Sequence, residues 1–423
     1  MNFTANLLAF TDVLKSIGGI VLAVVILLVM VTVHEFGHYV AGRILGFKIN
    51  EFSVGFGPAI FKKRSKKTGE LFALRIIPLG GYCAFDGEDE IDESSEETKQ
   101  AKETQETPFE EMQENDGGAS AMNVETNENA TVEEKEEYPE PVGERFNDQA
   151  PWKRIIVLVA GATMNYLLAL LLIITMFAFV GRPVYQVLEK PAQTPSEGAT
   201  ATVVLTEQEE QQSGLLPGDV ILKIDGKNVY MITDYMDILD GKKAGETVDV
   251  TVLRGEEEIV VQMQLAVDAN IVNMSDVNTL LHAMGVYGLT TVTEKSGFFP
   301  TIGHSFAYSW KIAGTVLRSL GELLTGKLGL EAMGGPITTI QVTSQAATSS
   351  LLSCLNIASF IGVNLAVFNL LPVPALDGCK VIFCLIEWIR KKPVNRKVEA
   401  MIHFIGIIFL FGFAILVDLL QLF

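Results

Sequence analysis

The sequence predicts a polytopic α-helical membrane protein with about four transmembrane helices, a membrane-associated β-hairpin and one inserted α+β domain. Of its 423 residues, 48% are hydrophobic, and the mean hydropathy is +0.31. Four long windows contain no charged residue, and the net charge of -19 arises in one segment. Ordinary soluble enzymes do not combine these features.

The uncharged windows predict the positions of the membrane spans. A helix needs about 20 apolar residues to cross a bilayer, and these windows cover residues 16–33, 155–181, 332–376 and 400–417. The third window begins with polar residues, so its span is predicted at 351–371. The first window lacks the basic start and small-residue cleavage site of a signal peptide, and it continues into His34 and Glu35. We therefore expect it to be retained as a transmembrane helix.

Basic residues near the spans predict the orientation of the chain. Those between spans one and two, and between spans three and four, are Lys48, Lys62, Lys63, Arg64, Lys66, Lys67, Lys153, Arg154, Arg390, Lys391, Lys392, Arg396 and Lys397. Loops rich in Lys and Arg face the cytoplasm. The long connection at 182–350 is then predicted outside.

The acidic segment at 86–148 accounts for the whole net charge. It holds 23 acidic and 4 basic residues, which leaves 28 of each sign elsewhere. With few aromatics and no hydrophobic period, it is predicted to be a disordered cytoplasmic linker. The alternative is a regulatory tail that recruits a basic partner. No basic patch is interleaved with aromatics, so nucleic-acid binding is excluded.

Two regions have the alternating pattern of β structure. Runs at 49–60 and 70–77 flank a turn at 66–69 and predict a hairpin that ends at 78–82. The connection between spans two and three predicts strands at 201–206, 220–224, 247–254 and 257–265, turns at 213–219 and 225–226, and a helix at 233–240. These latter elements form a compact α+β module.

The predicted organisation follows from these elements. It consists of a first transmembrane helix at 1–47, the hairpin at 48–85, the linker at 86–148, a second transmembrane helix at 149–181, the α+β domain at 182–270, a connecting and amphipathic segment at 271–350, a third transmembrane helix at 351–387, and a basic cytoplasmic turn with a fourth transmembrane helix at 388–423.

The motif His34-Glu35-Phe36-Gly37-His38 lies at the end of the first span. Helical residues four positions apart lie about 40° apart around the axis, so both imidazoles can bind one metal ion. Glu35 can then act on water without being a ligand. A merely interfacial helix end is the alternative, but two His and a Glu are costly at membrane depth.

A zinc hydrolase needs a third protein ligand and an open position. Asp377 is the best candidate, because it ends the long uncharged window and follows Pro372 and Pro374, which break the helix. His403 is the main rival; His282 and His304 fall in the outside connection. The four cysteines lack CxxC spacing and are predicted to be reduced thiols or to pack on the lipid side.

Together these motifs closely resemble the site-2 protease family of intramembrane zinc metalloproteases, of the bacterial regulator-of-sigma-E protease type. The matching segments are HEFGH at 34–38, IPLGGY at 77–82, FNDQAPWKRI at 146–155, the PDZ-like SGLLPGD at 213–219, GGPI at 334–337 and NLLPVPALDG at 369–378. Cys379 departs from the family, which usually has a second Gly there, as does the long acidic insertion.

The resemblance implies roles for individual residues. His34, His38 and Asp377 would bind one Zn²⁺ per chain, Glu35 would be the general base, and Asn369 would help hold the substrate backbone. The enzyme would hydrolyse peptide bonds in transmembrane segments of single-span proteins, such as an anti-sigma factor or signal-peptide remnants, during regulated intramembrane proteolysis.

The resemblance also implies a multi-pass protein of the bacterial inner membrane, with the PDZ-like domain outside the cytoplasm. A peptide or C-terminus is the candidate ligand of that domain, in a groove between 201–206 and 233–240. Alternatively, the domain excludes bulky ectodomains or caps the site. Two other interpretations compete. One is a membrane-anchored PDZ binding module with a vestigial metal site. The other is a metal transporter, which would need more polar residues along its spans.

Overall fold

The structure, a computed structural model, describes residues 2–88, 138–190, 199–206, 209, 213–330 and 334–422. The helices in chain order are α1 (Asn2–Leu45), α2 (Pro151–Phe179), α3 (Ile232–Leu239), α4 (Val277–Met284), α5 (Phe298–Leu324), α6 (Pro336–Ser349), α7 (Leu351–Asn369), α8 (Asp377–Arg390) and α9 (Arg396–Leu422). The strands are β1 (Ile49–Arg64), β2 (Leu71–Phe85), β3 (Arg182–Val187), β4 (Ala199–Thr202), β5 (Val220–Ile224), β6 (Lys227–Asn228), β7 (Thr247–Arg254), β8 (Glu257–Gln264) and β9 (Gly288–Glu294).

Four of these helices are long and apolar enough to cross a membrane, which confirms the predicted number of spans. The candidate spans are Ser16–Leu45, Pro151–Phe179, Leu351–Asn369 and Arg396–Gln421. The first three pack together, and small residues let them approach closely. A Cβ atom on Gly37 of α1 would overlap the carbonyl of Ala160 of α2, so the backbones of these two helices are in direct contact here. A Cβ atom on Gly362 of α7 would lie 2.9 Å from Ala169 Cβ of α2.

The predicted hairpin is longer and more folded than its sequence pattern indicates. Strand β2 continues through the predicted end at 78–82 to Phe85, and Phe52 of β1 pairs with both Phe72 and Cys83. Gly55 and Gly57, with φ of +86° and +81°, allow β1 to bend back on itself. The last part of β2, residues 81–85, therefore pairs along the inner part of β1.

Arg75 holds this folded sheet together. Its guanidinium donates to the Gly57 carbonyl at 2.7 Å, to Ser53 Oγ at 2.8 Å and to the Glu51 carboxylate at 2.6 Å. Because a guanidinium presents its donors in a rigid fork, one side chain fixes the bend relative to both neighbouring segments.

The inserted α+β domain is a seven-stranded antiparallel sheet with two helices. Its strand order is β4-β9-β3-β5-β7-β8, and β6 pairs with β5. The predicted strands at 220–224 and 247–254 are observed, and the predicted helix at 233–240 is α3. Strands β3 and β9 and helix α4 were not predicted. Since Leu289 of β9 is buried in the same core as Ile221, the sheet continues beyond the predicted limit of 270.

Beyond β9, the predicted connecting and amphipathic segment at 271–350 contains the helices α5 and α6. One face of α5 is buried against the membrane helices through Tyr308 and Ile312, whereas Trp310 is exposed. Lys311 of α5 forms an ion pair with the buried Asp234 of α3 at 2.6 Å. Helix α6 packs on α1 and contacts α9. The α+β domain is thereby attached to the helical framework.

The proline-containing segment between α7 and α8 is a tight loop at residues 370–376, as the two prolines predict. The third transmembrane helix ends at Asn369, close to the predicted end of its span at 371, and the rest of the predicted domain to 387 consists of this loop and part of α8. A Cβ atom on Gly378 would overlap the Leu371 carbonyl, so α8 starts directly against this loop. Asp377 is the first residue of α8.

A buried ion cluster joins three helices at the other end of α8. Glu387 of α8 accepts from Arg154 of α2 and lies 3.0 Å from Arg396 of α9. Arg154 and Glu387 are both at most 5% exposed. Removing Glu387 would leave Arg154 as an uncompensated buried charge, which is strongly destabilising.

Most of the acidic linker, residues 89–137, lies outside the described residues. Its predicted end at 148 is too late, because Phe146 is buried against Phe47 and Phe85 with ring centroids 5.5 and 5.4 Å away. Glu144 also exchanges backbone hydrogen bonds with Gly46 and Lys48. Residues 144–148 thus belong to the folded protein, and the motif at 146–155, which begins at Phe146, was the available sequence signal.

Candidate metal centre

Helix α1 presents His34 and His38 on one face, as their spacing predicts. Their Nε2 atoms are 3.1 Å apart, and both residues are less than 10% exposed. The ring planes are nearly perpendicular, at 85°. Two buried imidazole nitrogens therefore point at one position.

Asp377 completes the group from the other end of the chain. Its Oδ2 lies 3.0 Å from His34 Nε2 and 3.4 Å from His38 Nε2. Ligands about 2.0–2.2 Å from a tetrahedral zinc lie about 3.3–3.6 Å from one another. Within the described residues, these three form a group that can hold a metal ion. The observed distances are close to the tetrahedral requirement.

The chemistry of the three atoms also fits a cation. His38 Nδ1 lies 2.8 Å from the Val157 carbonyl, which can only accept, so the ring proton is on Nδ1 and Nε2 carries a lone pair. Asp377 Oδ2 is buried and has no hydrogen-bond donor, although both imidazoles approach it. The lone pairs of His38 Nε2 and Asp377 Oδ2 thus converge beside His34 Nε2, and a cation relieves their mutual repulsion. Neutral imidazoles and a carboxylate are the ligands that zinc accepts.

Glu35 lies next to the triad without belonging to it. It follows His34 on α1 and is half-buried beneath the folded β-sheet. A Cβ atom on Gly81 would lie 3.3 Å from Glu35 Cγ. The neighbouring Cys83 is a free thiol whose pKa is raised by burial, so it remains protonated and is a poor metal ligand.

Asn369, the last residue of α7, reaches the same centre. Its Nδ2 lies 3.4 Å from His34 Nδ1, and the side chain is half-buried. The structure therefore brings together all five residues that the sequence predicted: His34, Glu35, His38, Asn369 and Asp377.

The rival histidines lie elsewhere. His403 of α9 accepts a hydrogen bond from the Ala375 backbone at 3.0 Å and thus contacts the loop that precedes Asp377. His304 lies 2.8 Å from the Tyr230 hydroxyl, and burial lowers its pKa. His282 lies 3.1 Å from Glu209. His403 therefore lies outside the group of three, and it supports the loop that leads to Asp377.

Sequence reasoning missed the contribution of α2 to the centre. A Cβ atom on Gly161 would overlap the imidazole of His38, so only glycine fits there. Asn165, fully buried one turn further along, lies 3.5 Å from His34 Nδ1. The available sequence signal was an amide, Asn165, four residues after a glycine in a largely apolar span.

His34, His38 and Asp377 form a group that can hold a metal ion, and Glu35 lies next to it. Helix α1, which carries His34, Glu35 and His38, is long enough to cross a bilayer. This combination is typical of a membrane-integral metallohydrolase. Residues 22–413 match Peptidase family M50, and the chain belongs to this family.

Curated relatives agree with that assignment. The zinc metalloprotease RasP of Bacillus licheniformis is 26% identical over 414 residues, covering 90% of this chain and 93% of the relative. The regulator of sigma-W protease RasP of Bacillus subtilis is 26% identical over 427 residues, covering 93% and 96%. The chain is an intramembrane zinc metalloprotease of the site-2 type, which acts in regulated intramembrane proteolysis.

Proposed function

We propose that the protein cleaves the transmembrane segment of single-span membrane proteins, with an anti-sigma factor or a signal-peptide remnant as the substrate. The observation that carries this proposal is the position of the triad: His34 and His38 lie on a candidate span together with Glu35. The name of the Bacillus subtilis relative, a regulator of a sigma factor, supports the anti-sigma substrate.

His34, His38 and Asp377 are the proposed zinc ligands, and zinc supplies Lewis-acid activation of water and of the scissile carbonyl. Glu35 takes the proton of the attacking water and returns a proton to the leaving nitrogen. Its position between the triad and Gly81 supports this role, since a general base must lie beside both water and substrate. Asn369 holds the substrate backbone.

The edge formed by residues 81–85 is the proposed docking strand for the substrate. A transmembrane helix hides its carbonyl groups in internal hydrogen bonds, so it must unwind before hydrolysis. An unwound segment that adds to this edge recovers backbone hydrogen bonds. The approach of Gly81 to Glu35 supports this arrangement, because the added strand would pass next to the general base.

The test is a cleavage assay with purified protein and a single-span substrate in lipid vesicles. We expect chelator-sensitive cuts inside the transmembrane segment, mapped by mass spectrometry. A substrate with a helix-breaking Asn-Pro pair near the cut should be cleaved about tenfold faster, because unwinding costs less. The matched control carries the same pair in its juxtamembrane region. Cuts confined to soluble segments, or cleavage that survives zinc removal, would contradict the proposal.

The α+β domain is proposed to be a PDZ-like module outside the cytoplasm that binds a peptide or C-terminus near β4. Helix α4 packs beside both β4 and α3, so it borders the groove proposed between 201–206 and 233–240. Ion pairs from α5, Lys311 to Asp234 and Arg318 to Asp237, support a domain held at a fixed position above the membrane helices.

The proposed topology puts the acidic linker in the cytoplasm of a bacterial cell and the PDZ-like domain on the other side of the inner membrane. Protease added to the cytoplasmic face of oriented vesicles should cut within 89–137 and spare the domain, because basic residues flank the linker. Protease on the opposite face should leave the linker intact. The reverse pattern would invert the topology.

A further inference from the structure

One face of α2 contacts both imidazoles of the metal centre. Val157, Gly161 and Asn165 are spaced four residues apart, so they lie along the same side of the helix. The carbonyl of Val157 accepts from His38 Nδ1, and Gly161 leaves room for the imidazole of His38. Asn165 is the third residue of this face, and its partner at the centre is His34.

The contact between Asn165 and His34 contains an unsatisfied group. Asn165 is fully buried, its Oδ1 has no hydrogen-bond partner, and its Nδ2 lies 3.5 Å from His34 Nδ1. The two atoms of a side-chain amide are nearly equal in shape, and their assignment follows from the hydrogen bonds they make. Rotating the amide by 180° brings Oδ1 to His34 Nδ1. A proton on Nδ1 then satisfies the amide oxygen and leaves the Nε2 lone pair for the metal.

Asn369 competes for the same nitrogen, because its Nδ2 lies 3.4 Å from His34 Nδ1. A ring nitrogen carries one proton and makes one strong hydrogen bond. Asn165 is fully buried, and within the described residues no donor forms a hydrogen bond with its Oδ1. Asn369 is only half-buried at the end of α7, so its amide can turn towards a substrate.

We propose that Asn165 is a positioning residue for the zinc site: its Oδ1 accepts from His34 Nδ1, fixes the tautomer and ring orientation of His34, and leaves Asn369 for the substrate. This inference rests on the proposed zinc ligands. Helix α2 thereby supplies an acceptor to each imidazole, Val157 to His38 and Asn165 to His34. Partners of this kind stabilise metal ligands and alter affinity when removed.

The test measures zinc affinity, which does not depend on substrate. Wild type, Asn165→Leu, Asn165→Ala and Asn165→Asp are purified without metal and titrated with zinc against a chelator of known affinity. Leu and Ala remove the acceptor, and we expect about 10- to 100-fold weaker zinc binding. Asp restores an acceptor at the same position and should bind zinc at least as tightly as wild type. The Ala variant adds no apolar bulk, so the result does not depend on the folding of the Leu variant.

Matched controls separate positioning from packing. Thr163→Val changes an exposed polar residue of α2 and should leave zinc affinity unchanged. Asn369→Leu should also keep zinc affinity while lowering cleavage. Zinc binding by Asn165→Ala equal to wild type would overturn the inference, as would Asp binding as weakly as Ala, or Asn369→Leu losing as much affinity as Asn165→Leu. Absence of zinc binding by the wild type would instead overturn the proposed metal site.

Discussion

Replacing Glu35 by Gln should lower the rate of substrate cleavage by about two or more orders of magnitude while zinc stays bound. Gln keeps the size and polarity of the side chain but cannot accept the proton of water. The triad is untouched by this change, since its atoms belong to His34, His38 and Asp377. The mutant should therefore retain one zinc per chain and trap intact substrate, as measured by metal analysis, gel electrophoresis and substrate capture.

Glu258→Gln is the matched control, because Glu258 is exposed on β8, far from the triad in the fold, and forms an ion pair with Lys223 of the same sheet. It should cleave like wild type. Equal cleavage by Glu35→Gln and wild type would mean that the hydrolysis comes from another residue or a contaminant. No cleavage by either protein, with capture that depends on residues 201–206, would favour the membrane-anchored binding module.

Local chemistry made much of the metal centre predictable. His34, Glu35 and His38 all lie on α1. The period of the helix alone places both imidazoles on one face. Asp377 was predictable for a different reason: a carboxylate after a long uncharged segment is costly at membrane depth unless it has a partner. Sequence could not show that Asp377 reaches the two histidines at 3.0 and 3.4 Å, because that depends on the packing of α7, α8 and α1.

The features that sequence did not predict depend on tertiary contacts. The bend of β1 arises at Gly55 and Gly57, but only the pairing of Phe52 with two partners shows what the bend achieves. Asn165 looked like one of few polar residues in an apolar span. Its proximity to His34, 131 positions away in sequence, is created by the close packing of α2 on α1.

Tertiary contacts also determine the roles of α9 and the proline-containing loop. Ala375 has a φ of +78°, a conformation that side chains rarely adopt, and its backbone donates to His403. A Cβ atom on Gly406 would overlap Pro374, so the loop lies directly on α9. The last candidate span thus supports the loop that leads to Asp377 and contributes no residue to the triad.

Replacing Asp377 by Ala should reduce zinc from about one ion per chain to nearly none, because two imidazoles alone leave half of a tetrahedral site without protein ligands. Cleavage should be lost with the metal. His403→Ala is the matched comparison: His403 contacts Ala375 and lies outside the triad, so elemental analysis of this variant should still find about one zinc. Circular dichroism of both proteins checks that the helices remain folded. Loss of zinc from His403→Ala with retention by Asp377→Ala would assign the third ligand to α9 and require a different arrangement of the loop.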